Sequence, residues 1–169
     1  RISSDRPRAG TADRNVRRRH GCRRRWRRRG RSVRRLLHLV ARRLASDIDL
    51  VVEVQDPLPR LQADQAQLDR VLDNLIDNAL RHTSPGGQIR LQARRHGERV
   101  IISVEDNGEG IAYGQQGRIF EPFVQVGRKK GGAGLGLALC KEIVQLHGGR
   151  MGVYSRPGQG TQFYMALAV

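Results

Sequence analysis

Three groups of residues in this chain have the types and spacing needed to hold a polar ligand. Asn74, Asp77, Asn78 and Arg81 recur at i, i+3, i+4 and i+7, which places them on one face of a helix. A solvated polar face has the same spacing. Asn is a poor helix former whose amide competes for backbone hydrogen bonds, so two of them one turn apart point to amides with partners. The second group is Asp106-Asn107-Gly108-Glu109-Gly110-Ile111. Its alternating glycines let backbone approach a ligand closely, and its acid, at the end of an apolar run, can accept hydrogen bonds from that ligand. A plain Asn-Gly turn is the alternative. The third group is Gly132-Ala133-Gly134-Leu135-Gly136-Leu137, a glycine-rich approach to an apolar helical pattern. Free N–H groups and the helix dipole make such a helix start an anion site suited to phosphate. It is neither a P-loop, which needs Gly-Lys followed by Ser or Thr, nor a dinucleotide fingerprint, whose third glycine falls where this chain has Leu137.

The elements that must position these groups follow from apolar periodicity. Leu68, Val71, Leu72, Leu75, Ile76 and Ala79 form a continuous stripe, predicting an amphipathic helix that starts at the N-cap Asp64 and stops at Thr83-Ser84-Pro85-Gly86-Gly87. A second helix is expected from Ser32 to about Ala45, with Val33, Leu36, Leu37, Val40 and Leu44 on one face, followed by a strand over Ile48 to Val54. Gln88 to Arg95 and Arg99 to Asp106, joined through His96-Gly97-Glu98, read as a hairpin. A short helical piece is expected around Tyr113 to Ile119, and Phe120-Glu121-Pro122-Phe123 as a hinge at the edge of the core. Val124 to Ala133 is basic, glycine-rich and aperiodic, the pattern of a mobile loop. The last helix is expected over Leu135 to His147 with Leu135, Leu139, Ile143 and Leu146 inward. Strands over Met151 to Ser155 and Thr161 to Val169 close the chain, the latter alternating Phe163, Met165, Leu167 and Val169.

With 169 residues the chain suits one domain with a core plus a tail. Its formal charge of +16 suggests a nucleic-acid binder until it is divided by position. Residues 1–35 hold sixteen Arg against Asp5 and Asp13, a net +14, which leaves +2 for the rest. The basicity thus belongs to one segment and says little about the globular part. Residues 1–31 have too few aliphatic residues to bury a core and are expected to be disordered. They are either an arginine-rich arm for nucleic acid or an acidic membrane surface, with Trp26 to stack, or a coil without a role. Residues 32–169 form the expected domain. Cys22 and Cys140 have no metal-ligand spacing, and Cys140 reads as a core thiol in a reducing compartment. No apolar run has the length of a membrane span, so a soluble, cytoplasmic piece is expected, on its own or as part of a membrane-bound sensor.

Taken in order, the Asn-bearing helix, Asp106-x-Gly108-x-Gly110, Phe120-Glu-Pro-Phe123, Gly132-x-Gly134-x-Gly136 and Gly158-x-Gly160-Thr161 resemble the N, G1, F, G2 and G3 boxes of the ATP-binding catalytic domain of sensor histidine kinases, a branch of the GHKL superfamily. The similarity covers about residues 33–169. It implies a two-layer α/β sandwich, a mixed and mainly antiparallel sheet packed against helices, with ATP held under a flexible lid. By the same resemblance Asn78 is the Mg2+ ligand, a hard oxygen donor for a cation that also bridges phosphates. Asn74 stands beside it, and Arg81 with His82 lies one turn on towards phosphate. Asp106 accepts from the adenine amino group, while Gly108 and Gly110 leave room for the base beside Ile111 and Phe120. Gly132, Gly134, Leu135, Gly136 and Leu137 form the backbone cradle, and Thr161 lies near adenine.

Members of the superfamily that hydrolyse ATP carry a Glu one turn before the magnesium Asn to activate water. Asn74 stands there and takes no proton, which favours phosphoryl transfer over hydrolysis and assigns no catalytic residue within the chain. The implied partners are a dimerising helical hairpin that carries the acceptor histidine and, through it, a response regulator. His20 and His38 lack the surroundings of such an acceptor, so transfer to another module is expected. The alternatives are an anti-sigma-factor-type serine kinase, whose family usually lacks the Phe-x-Pro-Phe box, and a non-catalytic nucleotide-binding module.

Overall fold

The computed structural model describes residues 47–126 and 133–169. The Arg-rich segment, the helix expected over Ser32 to Ala45, Gly132 and most of the expected mobile loop lie outside the described residues. Among the described residues five strands and three helices follow in the order β1 (Asp49–Val54), α1 (Gln65–His82), β2 (Gln88–His96), β3 (Arg99–Asp106), α2 (Tyr113–Gln116), α3 (Gly136–Leu146), β4 (Arg150–Arg156) and β5 (Gly160–Ala168). The sheet runs β1-β2-β3-β5-β4. Only β1 and β2 are parallel, as the α1 crossover between them requires. The other three pairings are antiparallel, so the sheet is mixed and mainly antiparallel with helices on one face, the sandwich expected.

Helix α1 forms where its periodicity put it. All six residues of the predicted stripe are buried, and Asp64 caps the first turn by accepting from the N–H groups of Ala66 and Gln67. The stripe meets the inward rows of the sheet. Leu91, Val104 and Phe163 stand in register across three strands, and Ala93, Ile102 and Met165 form the next row. Full burial of aliphatic side chains of this size is worth about 1.5–3 kcal/mol each, so these rows anchor the inner surface on which the ligand-facing residues are mounted.

Helix α3 departs from expectation. Its inward face is Cys140, Ile143 and Val144, whereas Leu135 and Leu146 are exposed and Leu139 is half-buried. Its polar residues, Lys141, Glu142 and Gln145, share one side of the helix, and Cys140, Ile143 and Val144 lie away from that side, with the leucines nearer its margins. The buried face packs against α1, with the Cys140 thiol, 3.8 Å from the Val71 carbonyl, donating to it. Strand β5 keeps its alternation through Leu167, but Val169 lies beyond the strand and is exposed. The helical piece after β3 is a single turn, Tyr113–Gln116. Phe120 of the expected hinge packs edge-on to Phe163, with ring centres 6.3 Å apart, while Phe123 points to solvent.

His147 joins the two long helices. Its Nε2 accepts from the Asp64 N–H at 3.0 Å and its Nδ1 lies 2.8 Å from the Ile143 carbonyl. A carbonyl only accepts, so Nδ1 carries the proton and the ring is the neutral tautomer.

Candidate functional site

The polar face of α1, the C-terminal end of β3, the start of β5 and the N-terminus of α3 surround a cavity of about 320 Å3. That volume lies within the range of small-ligand sites. Asn74, Asp77, Asn78 and Arg81 all line it, so the face read from the i, i+3, i+4, i+7 spacing looks into a cleft. His82, Asp106, Gly110, Ile111, Gly134, Leu135, Gly136, Leu137 and Thr161 line it as well. Of the remaining sequence candidates, Gly108 and Phe120 are not wall residues, and Gly132 lies outside the described residues.

Asp106 ends β3 with a carboxylate that is only 5% exposed. Its Oδ1 accepts the Gly108 N–H at 2.9 Å, and its backbone pairs in register with Thr161. Burial pushes its carboxyl above the ordinary 3.8, against hydrogen bonds from the backbone of Gly108 and Thr161 and the nearby His82. A buried acceptor of this kind suits a neutral N–H donor such as an exocyclic amine. The apolar side chains of Ile111, Ile119, Leu137 and Phe163 line the same cavity, the composition that a flat ring prefers.

The two glycines after Asp106 serve the fold in a way the sequence does not reveal. A Cβ on Gly108 would lie 2.2 Å from the His82 carbonyl oxygen, and one on Gly110, at φ +69°, would lie 2.1 Å from the Arg156 carbonyl oxygen. The space that each leaves is occupied by protein backbone rather than left for a ligand. The segment is thus pinned between the end of α1 and the β4–β5 turn. His82 adds a side-chain tie, with Nδ1 2.7 Å from Glu109 Oε1.

At the opposite wall α3 starts without a side-chain cap, and Leu135, Gly136 and Leu137 face the cavity. The first N–H groups of a helix have no partner within it, so an uncapped helix start on a cleft suits a phosphate chain. Gly136 lies beside Asn74, where a Cβ would make an ordinary van der Waals contact with Asn74 Oδ1 at 3.4 Å. Asn74 also hydrogen-bonds the Cys140 thiol, whose pKa burial pushes up to about 11.

No group of three or more His, Cys, Asp or Glu side chains is placed to hold a metal among the described residues. An amide oxygen is a hard donor suited to a cation such as Mg2+, and Asn74 and Asn78 both line the cavity.

Sequence reasoning passed over Glu109, Ile119 and Phe163 as wall residues, while Val124, Gln125, Val126 and Ala133 belong to the loop expected as a lid. Phe163 carried a signal, its inward place in β5. Val124 to Val126 and Ala133 are brought to the cavity by the return of the chain at Phe123, which has no periodic signature. Among the described residues no helix is long and apolar enough to cross a membrane.

Comparison with known proteins agrees with this geometry. Residues 63–169 match the family described as histidine kinase-, DNA gyrase B-, and HSP90-like ATPase. The alginate biosynthesis sensor protein KinB of Pseudomonas aeruginosa is 70% identical over 125 residues, which is 74% of this chain and 21% of that protein. Among solved structures, full-length ShkA in complex with AMPPNP superposes with a TM-score of 0.74 at 34% identity, over 82% of this chain and 30% of that one. The histidine kinase ThkA, in complex with the response regulator protein TrrA, gives 0.66 at 26% identity, over 80% and 39%. The chain spans between 15% and 33% of the length of the relatives KinB, DivL and SasA that it matches.

Proposed function

Because the chain belongs to the histidine kinase-, DNA gyrase B- and HSP90-like ATPase family, we propose that it binds ATP with Mg2+ and transfers the γ-phosphoryl group to a histidine on a dimerising module of a two-component sensor kinase. The observation that carries this reading is a single cavity that joins a buried carboxylate, Asp106, to an uncapped helix start at Gly136, with Asn74 and Asn78 between them.

In this reading Asp106 accepts from the adenine amino group at the apolar end of the cleft, beside Ile111 and Thr161. The phosphates extend to the N–H groups of α3, and Arg81 and His82 lie on their other side. Asn78 would hold Mg2+, which when bound neutralises phosphate charge and orients the γ-phosphoryl group. Asn74 has an amide where a hydrolase carries a general base, so that position offers no group to activate water. Transfer then depends on an acceptor brought in line from elsewhere. The KinB and ThkA similarities support a histidine acceptor and a response regulator as the next partner, and the AMPPNP bound to ShkA, an ATP analogue, supports the nucleotide.

Radiolabelled ATP tests the reading. The chain alone is expected to show negligible hydrolysis and no autophosphorylation, and to label an acid-labile histidine once a cognate dimerising hairpin is added, with Asp106→Asn as the non-binding control. Fast hydrolysis by the chain alone that is lost in the control makes it an ATPase, and label on a partner's serine makes it an anti-sigma-type kinase.

The +14 charge of residues 1–35 supports a separate, secondary activity, salt-steep and sequence-blind binding of nucleic acid by residues 1–31. Deleting those residues should abolish it and leave ATP affinity unchanged. Nucleic-acid binding retained by the shortened chain would place the activity elsewhere.

A further inference from the structure

Behind the cavity wall, Ser155 of β4 makes three hydrogen bonds through one hydroxyl. Its Oγ accepts the Ile111 N–H at 2.8 Å, donates to the Gly160 carbonyl at 2.8 Å and lies 3.0 Å from Thr161 Oγ1. A hydroxyl has one proton, and a carbonyl oxygen only accepts. The Ser155 proton is therefore committed to Gly160, and the bond to Thr161 is closed by the threonine's own proton. Thr161 is left with lone pairs alone to offer the cavity that it lines.

Its in-register neighbour Asp106 is also an acceptor, with one oxygen already taken by the Gly108 N–H. The arrangement is braced from both sides. Gln116 donates through Nε2 to the carbonyls of Ile111 at 2.9 Å and Ser155 at 3.0 Å. A Cβ on Gly160 would lie 1.9 Å from the Asp106 carbonyl oxygen, so the two strands approach too closely there for a side chain.

We infer that Ser155 fixes the direction of the Thr161 hydroxyl, so that a purine meets acceptors only, and is thereby a positioning residue that selects adenine over six-oxo purines. The inference rests on the ATP reading above. Adenine presents two amino protons at position 6, whereas hypoxanthine and guanine present an oxygen there, which two acceptors repel. A threonine hydroxyl free to turn can donate to that oxygen and soften the rejection. A site built around fixed hydrogen-bond polarity discriminates far better than one that relies on shape.

The test compares the full chain with Ser155→Ala, Ser155→Thr, Thr161→Val and the Ser155→Ala/Thr161→Val pair, titrating each with non-hydrolysable ATP and ITP analogues. Ser155→Ala is expected to lower the ATP-over-ITP preference on the order of tenfold, Ser155→Thr to restore it, and Ser155→Ala to have no effect on the preference once Thr161 is Val. A Ser155→Ala chain that loses both affinities by the same factor shows a merely structural role and overturns the inference, as does a lowered preference that persists in the pair. Amide exchange at Ile111 in the nucleotide-free chain separates the two readings. If the parent binds neither analogue, the ATP reading and the base preference fall together, while faster Ile111 exchange in Ser155→Ala still establishes the hydrogen-bond relay and unchanged exchange overturns it.

Discussion

The backbone N–H of Phe123 donates to the carbonyl of Gly134 at 2.9 Å, joining the chain on either side of residues 124–133 at the rim of the cavity. Both residues have left-handed backbone, φ 65° at Phe123 and φ 70° at Gly134, and a Cβ on Gly134 would lie 2.8 Å from the Phe123 carbonyl carbon. Gly134→Ala therefore meets two penalties, a left-handed alanine costing about 1–2 kcal/mol and a backbone clash. We expect a melting temperature several degrees lower and an ATP affinity weakened about tenfold or more. Phe123→Gly relieves strain and keeps the bond, so it should melt no lower than the parent. Thermal melts and calorimetric titration of the two variants check this, and a silent Gly134→Ala would show that the join is not needed.

The proposed function gives Asn78 the one metal-ligand role in the cleft. Asn78→Ala and Asn78→Asp should weaken ATP binding strongly in the presence of Mg2+ and abolish most of the difference between titrations with and without it. Melting temperatures should barely move, since the residue lies on the polar face of α1. Unchanged Mg2+-dependent affinity in both variants would remove the assignment.

Asp106 couples stability to pH with a definite sign. Burial raises its carboxyl above the ordinary 3.8, so the folded chain holds that proton more tightly than the unfolded chain does. Its contribution to stability is full below 3.8 and is lost as the pH rises through the raised value. At neutral pH Asp106→Asn should therefore melt at the same temperature as the parent or higher, with the gap closing in mild acid, while its ATP affinity falls at least tenfold. Melts at both pH values with an ATP titration at neutral pH decide it. A variant far less stable than the parent at neutral pH would mean that the carboxylate is held by interactions stronger than its burial penalty.

His147 holds the end of α3 to the start of α1 through two hydrogen bonds, to the Asp64 N–H and the Ile143 carbonyl. His147→Ala should cost about 1–2 kcal/mol. The loss should appear in hydrogen exchange as faster opening of the first turn of α1 and the last turn of α3, leaving the sheet centre protected. Uniform loss of protection across the domain would show that the two helices do not open separately.

The sequence alone determined α1, the hairpin and the identity of the face that looks into the cleft. Each is local: an amphipathic stripe with its cap and stop, a two-residue Gly97-Glu98 turn, and four polar residues on one turn spacing. Asp106 was legible for the same reason, an acid that ends an inward-alternating strand. The inward face of α3 was not, because its leucines lie beside the polar side of Lys141, Glu142 and Gln145, and packing against α1 buried Cys140 and Val144 while Leu135 stands exposed on the cavity and Leu146 on the surface. Gly108 and Gly110 were read as room for a ligand, but the backbone that fills the space comes from His82 and Arg156, the latter forty-six residues beyond Gly110. Ser155 gave no signal at all. Its role exists only because β4 and β5 pair so that one hydroxyl reaches Ile111, Gly160 and Thr161 together. Short-range periodicity is written in the chain, but hydrogen-bond direction and close backbone approach belong to residues that folding brings together.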